Sequence, residues 1–335
     1  MRNLSLQELD AAARLVHGVV PPTPQYRWPL LAERLGHEVW VKHENHTPLG
    51  AFKVRGGITY FDELRRNHPE VRGVIVATRG NHGQSIAFAA RRNRMNVVIV
   101  VPHGNSVEKN ASMRALGAEL IEHGHDFQAA LEHSHALAAE RQLHVVPPWH
   151  PALVRGVASY GLELFRAAPG LDVVYVPIGL GSGICGMMAA RDALGEKAKI
   201  VGVVASAAPA VALSFAQKKL IERDCTTRIA DGMACRTPDP DALEWMHRGV
   251  ERIVEVTDDE IEAAMRALFS DTHNVAEGAG AASVAAAMQE RDRNQGKRVA
   301  VVLTGGNVDR DVFVRVLGAG QSLTAENMLT ADSRG

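Results

Sequence analysis

GVIVATRGNHGQSIAFAARRN, residues 73–93, is the stretch that decides the fold class. Its first six residues form an apolar run rich in Val and Ile, which reads as a strand. The residues from Ser85 onward carry helical spacing and stop at Asn93, a residue type common at helix ends. A strand that passes through a glycine-containing loop into a helix is the repeating unit of a parallel sheet with crossover helices. The same unit recurs along the chain. NVVIVV (96–101), AELIEH (118–123), LDVVYVP (171–177), KIVGVVA (199–205) and KRVAVVLT (297–304) read as further strands. VEKNASMRALG, DFQAALEHSHALAAERQ and SVAAAMQERDRNQ supply helices between them. The class is therefore α/β, with no tandem repeat, low-complexity tract or charge block. VVPPWHP (145–151) is the strongest punctuation in mid-chain and is expected to mark a return from one lobe to the other.

With 335 residues, 46% of them apolar, the chain can bury one large core or two smaller ones. Lys and Arg number 37 against 38 Asp and Glu, so no broad electrostatic footprint for nucleic acid or an anionic membrane exists. A small-molecule partner is favoured. Three cysteines (Cys185, Cys225, Cys235) at irregular spacing fit neither a disulfide framework nor a zinc knuckle, and a reducing, cytoplasmic setting is expected. The start, MRNLSLQELDAAARLV, has acids where a signal peptide needs an apolar run, and no stretch approaches the length of a membrane span. Fifteen histidines include the cluster HENH at 43–46, whose spacing is not the i, i+4 of two ligands on one helix face; no metal site is expected.

Three motifs carry the chemistry. In NHTPLGAFKVRGG (45–57), a Pro and Gly turn feeds a helix whose first turn holds Lys53. Such a lysine is either a solvated helix residue or a Schiff-base lysine held in a partly desolvated pocket so that its amine can be neutral and nucleophilic. ATRGNHGQS (77–85) lies at the C-terminal end of its strand, where open α/β sheets place their ligand crevice. Gly80 and Gly83 would let a ligand approach the backbone, successive amides can form a nest for a carboxylate, and Asn81 offers an amide to a polar ring substituent. An ordinary strand-to-helix turn with a cap is the other reading. PIGLGSGICG (177–186) joins a strand to a helix, and the amides freed by Gly179, Gly181 and Gly183, with the helix dipole, suit a phosphate. The GxGxxG it contains (181–186) would suggest a dinucleotide and a nicotinamide oxidoreductase. The next strand, KIVGVVAS, ends without the acidic residue that binds a ribose hydroxyl, so a single phosphate fits better.

Taken in order, TP-x-G-x-F-K-x-R-G, the GNHGQ loop, the glycine-rich loop and the near-terminal LTGGN (303–307), with IADGMA (229–234) and EGAGA (277–281), resemble the serine/threonine dehydratase and serine racemase family of fold-type II pyridoxal-phosphate enzymes over roughly residues 20–320. The resemblance implies two open, mostly parallel twisted sheets flanked by helices. It implies a large domain of residues 1–66 and 149–322, a small domain of 67–148, a loosely held tail at 323–335, and a homodimer. Lys53 would carry pyridoxal 5'-phosphate, with Phe52 beside it and Asn81 at the cofactor's phenolic oxygen. Gly179, Leu180, Gly181, Ser182 and Gly183 would hold the phosphate, and Thr304 would face the pyridine nitrogen. Thr78, Arg79, Gly80, Asn81 and His82 would bind the amino-acid substrate. The implied reaction converts an L-β-hydroxy amino acid of the threonine or serine type to the 2-oxo acid and ammonia. A bulkier or acidic substrate such as phenylserine or 3-hydroxyaspartate is the alternative.

Several positions depart from the family pattern. Leu180 and Ser182 interrupt the usual run of four glycines, and Thr304 replaces Ser or Cys. Val204 and Ala210 stand where some relatives place acidic ligands for a divalent cation, and apolar side chains cannot ligate a hard cation. Arg79 stands where racemases have Ser and dehydratases commonly Ala. A guanidinium stays protonated, so it cannot be the neutral second base of a racemase.

Overall fold

The computed structural model describes residues 4–319; the tail expected at 323–335 lies outside the described residues. Among them, ten strands form: β1 (Gln25–Arg27), β2 (Val39–His43), β3 (Gly73–Ala77), β4 (Asn96–Val101), β5 (Glu119–Glu122), β6 (His144–Val145), β7 (Val173–Pro177), β8 (Lys199–Ala205), β9 (Val250–Val256) and β10 (Val299–Leu303). They make a six-stranded sheet in the order β1-β2-β10-β7-β8-β9 and a four-stranded sheet in the order β5-β4-β3-β6. Every pairing is parallel except β1 with β2. The class is α/β with two mostly parallel sheets, as the alternating pattern requires.

β3, β7 and β10 are buried at every position, the mark of parallel strands covered by helices on both faces. The largest core cluster packs around the six-stranded sheet, and two smaller clusters cover the two faces of the four-stranded one. Gly56 and Gly57 sit in the helix Lys53–Asn67 where two other helices press against it. A Cβ on Gly57 would collide with Ser85 in the helix Asn81–Arg92, and one on Gly56 would meet the Leu153 carbonyl at 2.9 Å, in the helix Pro151–Ala167. The chain leaves β6 through Pro147, Pro148 and the buried Trp149 and enters that last helix, which packs back against the six-stranded side.

β1, β2, β6 and β9 are absent from the sequence reading. Lys42 and His43 break the apolar run of β2, yet both are fully buried. β9 is an edge strand whose Glu251 and Glu255 are exposed and whose Arg252 is half-buried, while Val250, Val254 and Val256 are buried. No helix among the described residues is long and apolar enough to cross a membrane. Cys185, Cys225 and Cys235 are all free thiols.

Candidate active site

Lys53 is set by the loop before it. Thr47 Oγ1 accepts from Ala51 N and donates to Ala51 O, both at 2.9 Å. Phe52 N donates to Thr304 O at 3.0 Å, and Gly306 N to Gly50 O at 2.9 Å, which ties the loop to the chain after β10. Gly50 has φ +66° and faces Asn307, so a side chain there would be both strained and crowded. Lys53 Nζ donates to Ser182 Oγ at 3.1 Å and lies 5.0 Å from the centre of the Phe52 ring. Desolvation pushes its pKa down from 10.5 to about 8, because the surrounding protein penalises the ammonium form and no carboxylate offsets it. Ser85 Oγ donates to Lys53 O at 2.7 Å, which joins the first two motifs directly.

Two residues on, Arg55 is fully buried. It donates to Glu44 at 2.7 and 3.0 Å, to Glu163 at 2.5 and 3.0 Å, and to Ser159 at 2.8 Å. Lys42 Nζ donates to the same Glu163 at 2.6 Å. Two cations therefore balance two carboxylates beneath the helix that bears Lys53. The Glu163 carboxyl is held down to about 2, since the attraction of Arg55 and Lys42 outweighs desolvation.

The glycine-rich loop connects β7 to a helix that begins at Ser182, earlier than the sequence reading placed it. Gly181 adopts φ +99°, and a Cβ on Gly179 would lie 2.5 Å from Gly232 O. Cys185 N bonds Gly181 O at 3.0 Å as the helix closes. The Ser182 and Gly183 amides precede that bond at the helix N-terminus, and Gly179, Leu180, Gly181, Ser182 and Gly183 all border one cavity with Lys53. Aligned amides, a hydroxyl and a positive dipole end fit a phosphate. Thr304 borders the same cavity, and its hydroxyl donates to Ala279 O at 3.4 Å.

Thr78, Arg79, Gly80, Asn81 and His82 form the opposite wall. Thr78 N bonds Val100 O at 3.0 Å and Gly80 N bonds Thr78 Oγ1 at 3.1 Å, so those two amides are already used. The Asn81 and His82 amides, in the first turn of their helix, are donors open to a carboxylate. The Asn81 side chain donates to Glu277 Oε1 and accepts from Asn307 Nδ2 at 2.9 Å. His82 is pushed down to about 3 by desolvation and then by the charge of Lys53, so its imidazole is neutral, and its Nε2 is buried without a partner. Arg79 borders the cavity, and its Nε is likewise buried without a partner.

The cavity measures about 890 Å³. Among the charged groups on its wall that the sequence reading missed, three are joined in one cluster. Lys109 Nζ donates to Asp231 Oδ2 at 2.7 Å and Glu277 Oε2 at 2.9 Å. Burial raises the Glu277 carboxyl, and Lys109 partly offsets this. Asp231 and Glu277 fall within the IADGMA and EGAGA segments, which was a signal of place without a role; Lys109 looked like any helix lysine. Gly80 makes room for Lys109, whose Cδ would lie 2.5 Å from a Cβ there.

The chain matches the family described as pyridoxal-phosphate dependent enzyme over residues 16–305. It is 31% identical over 318 residues to an L-threonine ammonia-lyase of Thermotoga maritima, covering 95% of this chain and 79% of that protein. An L-threonine ammonia-lyase of Geobacter sulfurreducens is 32% identical over 279 residues, 83% of this chain and 69% of that one. Among solved structures, the processed form of threonine deaminase isoform 2 from Solanum lycopersicum superposes with a TM-score of 0.85 at 26% identity, over 96% of this chain and 97% of that chain.

Proposed function

We propose, from the premise that the chain belongs to the pyridoxal-phosphate-dependent enzyme family and uses that cofactor, that it is an ammonia-lyase converting an L-β-hydroxy amino acid of the threonine or serine type to the 2-oxo acid and ammonia. The observation that carries this reading is one cavity holding Lys53, with its amine near neutrality at about pH 8, between a phosphate-type loop and a helix N-terminus suited to a carboxylate. The relatives named L-threonine ammonia-lyase support it.

When bound, the cofactor supplies an aldehyde for the substrate amine and a ring that draws electrons from Cα. In the proposed arrangement, the amides from Gly179 to Gly183 and the Ser182 hydroxyl hold its phosphate, Phe52 packs beside Lys53, and Asn81 meets its phenolic oxygen. The Asn81 and His82 amides hold the substrate carboxylate and thereby orient the Cα–H bond towards Lys53. Neutral Lys53 accepts that proton. Lys53, once protonated, can return the proton to the departing β-hydroxyl, so that water leaves as the Cα–H and Cβ–O bonds break. A water molecule then hydrolyses the released imine to the 2-oxo acid and ammonium, and no redox partner is required. Thr304 presents a hydroxyl and no carboxylate to the ring, which favours prompt loss of a β-substituent.

A homodimer in a reducing cytoplasm completes the proposal, supported by the family resemblance and the three free thiols. The test is to supply purified holoenzyme with L-threonine and L-serine and to follow keto acid and ammonium together. Formation of both by the wild type and by no Lys53→Ala preparation is expected. Conversion of L-serine to D-serine without keto acid would overturn the reading in favour of a racemase.

A further inference from the structure

Arg79 lies on the cavity wall among the residues that the proposed reaction uses, and that reaction gives it no part. Its guanidinium is permanently charged, its Nε is buried without a hydrogen-bond partner, and among the described residues it pairs with no carboxylate. The structure places Arg79 on the cavity wall, half-buried, and a guanidinium held partly out of water gains from an opposite charge beside it.

The acids that share the cavity do not supply that counter-charge. Asp231 and Glu277 are held by Lys109. Asp126 accepts from Ala129 N at 2.8 Å and Asp239 from Ala242 N at 2.9 Å, each capping its own helix. Asp224 lies 3.7 Å from Arg236, and Glu222 is exposed on the rim. Arg79 also follows Thr78 directly and precedes the Asn81 and His82 amides, so it stands beside the place proposed for the substrate's own carboxylate. The missing counter-charge is then best met by the ligand.

We infer that Arg79 receives a carboxylate on the substrate side chain, and that the preferred substrate is an acidic β-hydroxy amino acid of the 3-hydroxyaspartate type. The inference rests on the lyase reading above and narrows its substrate. The bond changes are the same: Cα–H and Cβ–O break, water leaves, and hydrolysis of the imine gives a 2-oxo dicarboxylic acid and ammonium. The planar fork of the guanidinium can meet both oxygens of the distal carboxylate.

The experiment compares kcat/KM for both diastereomers of 3-hydroxyaspartate with that for L-threonine, in the wild type, Arg79→Gln and Arg79→Lys. In parallel, binding of L-aspartate against L-alanine is read from the absorbance of the bound cofactor, which needs no turnover. The wild type is expected to prefer one hydroxyaspartate over threonine, and aspartate over alanine, by about tenfold or more. Arg79→Gln should shrink both preferences by roughly 30-fold or more, and Arg79→Lys should retain part of them. Equal losses on all substrates would assign Arg79 to the α-carboxylate and overturn the inference. Loss of bound cofactor would assign it to the phosphate, and unchanged ratios would leave it no role; either also overturns it. Should no β-hydroxy amino acid give keto acid, the lyase reading fails, and the aspartate-to-alanine binding ratio still decides the role of Arg79.

Discussion

Lys109 Nζ lies 2.9 Å from Glu277 Oε2, and this pair spans the cavity between the two sheets. Lys109 belongs to the helix Val107–Ala115 on the four-stranded side. Glu277 is the N-cap of the helix Gly278–Gln289, whose Ser283 hydroxyl bonds Val302 O of β10 at 2.8 Å. Both side chains are about 95% hidden from solvent. Glu277 also accepts from Asn81, so the pair fixes a residue proposed to touch the cofactor.

Lys109→Met should cost about 3 kcal/mol of stability at neutral pH, because it leaves Glu277 buried without its cation. The cost depends on pH with a definite sign. Burial already raises the Glu277 pKa, and without Lys109 it rises further above its unfolded value. A raised carboxyl binds a proton more readily when folded, so the variant regains stability as pH falls and loses it as pH rises through the folded pKa. Urea titrations at pH 5 and pH 8 should show the larger deficit at pH 8.

The lowered pKa of Lys53, about 8, governs how fast cofactor-free protein takes up pyridoxal phosphate. The rate should rise with pH and level off above about 8, whereas a solvated lysine keeps rising to about 10.4. Absorbance of the Schiff base follows the reaction. A profile still climbing at pH 9.5 would refute a desolvated Lys53, and borohydride label on any other lysine would refute the assignment. The same shift makes the folded state bind fewer protons between pH 8 and 10.5, so its contribution to stability improves with rising pH in that window.

Arg55→Met should destabilise the protein by about 3–5 kcal/mol, since Glu44 and Glu163 stay buried with too little positive charge. The exposed pair Arg66 with Asp62 is the control: Arg66→Ala should change stability by less than about 0.5 kcal/mol. Thermal melts of the two variants side by side give the comparison, and equal shifts would show that the buried cluster carries no special weight.

Thr304→Ala should fold and bind cofactor yet lose up to a few kcal/mol of transition-state stabilisation, while Thr304→Ser is nearly silent. The reason is that the hydroxyl, which now reaches only Ala279 O at 3.4 Å, is free to turn to a ring nitrogen. Activity and cofactor absorbance measured on both variants separate this from a folding defect. Wild-type activity in the alanine variant would show that the hydroxyl has no such part.

What the sequence by itself determined is local. A run such as NVVIVV specifies a strand through its apolar continuity, Gly50 and Gly181 are legible because only their φ suits those turns, and the three motifs name their own loops. The strand β2 stayed hidden for a physical reason: Lys42 can be buried there only because Glu163, 121 residues away, neutralises it. Arg55 in FKVRGG has the same distant partner, 108 residues off. The tertiary structure alone brought Lys109 to Glu277 across 168 residues, and it alone left Arg79 facing the cavity with no partner. Side-chain period and turn geometry act over a few residues and can be read along the chain. Charge pairing acts over a few ångströms of space, and which groups come that close is decided only when the sheets and helices have packed.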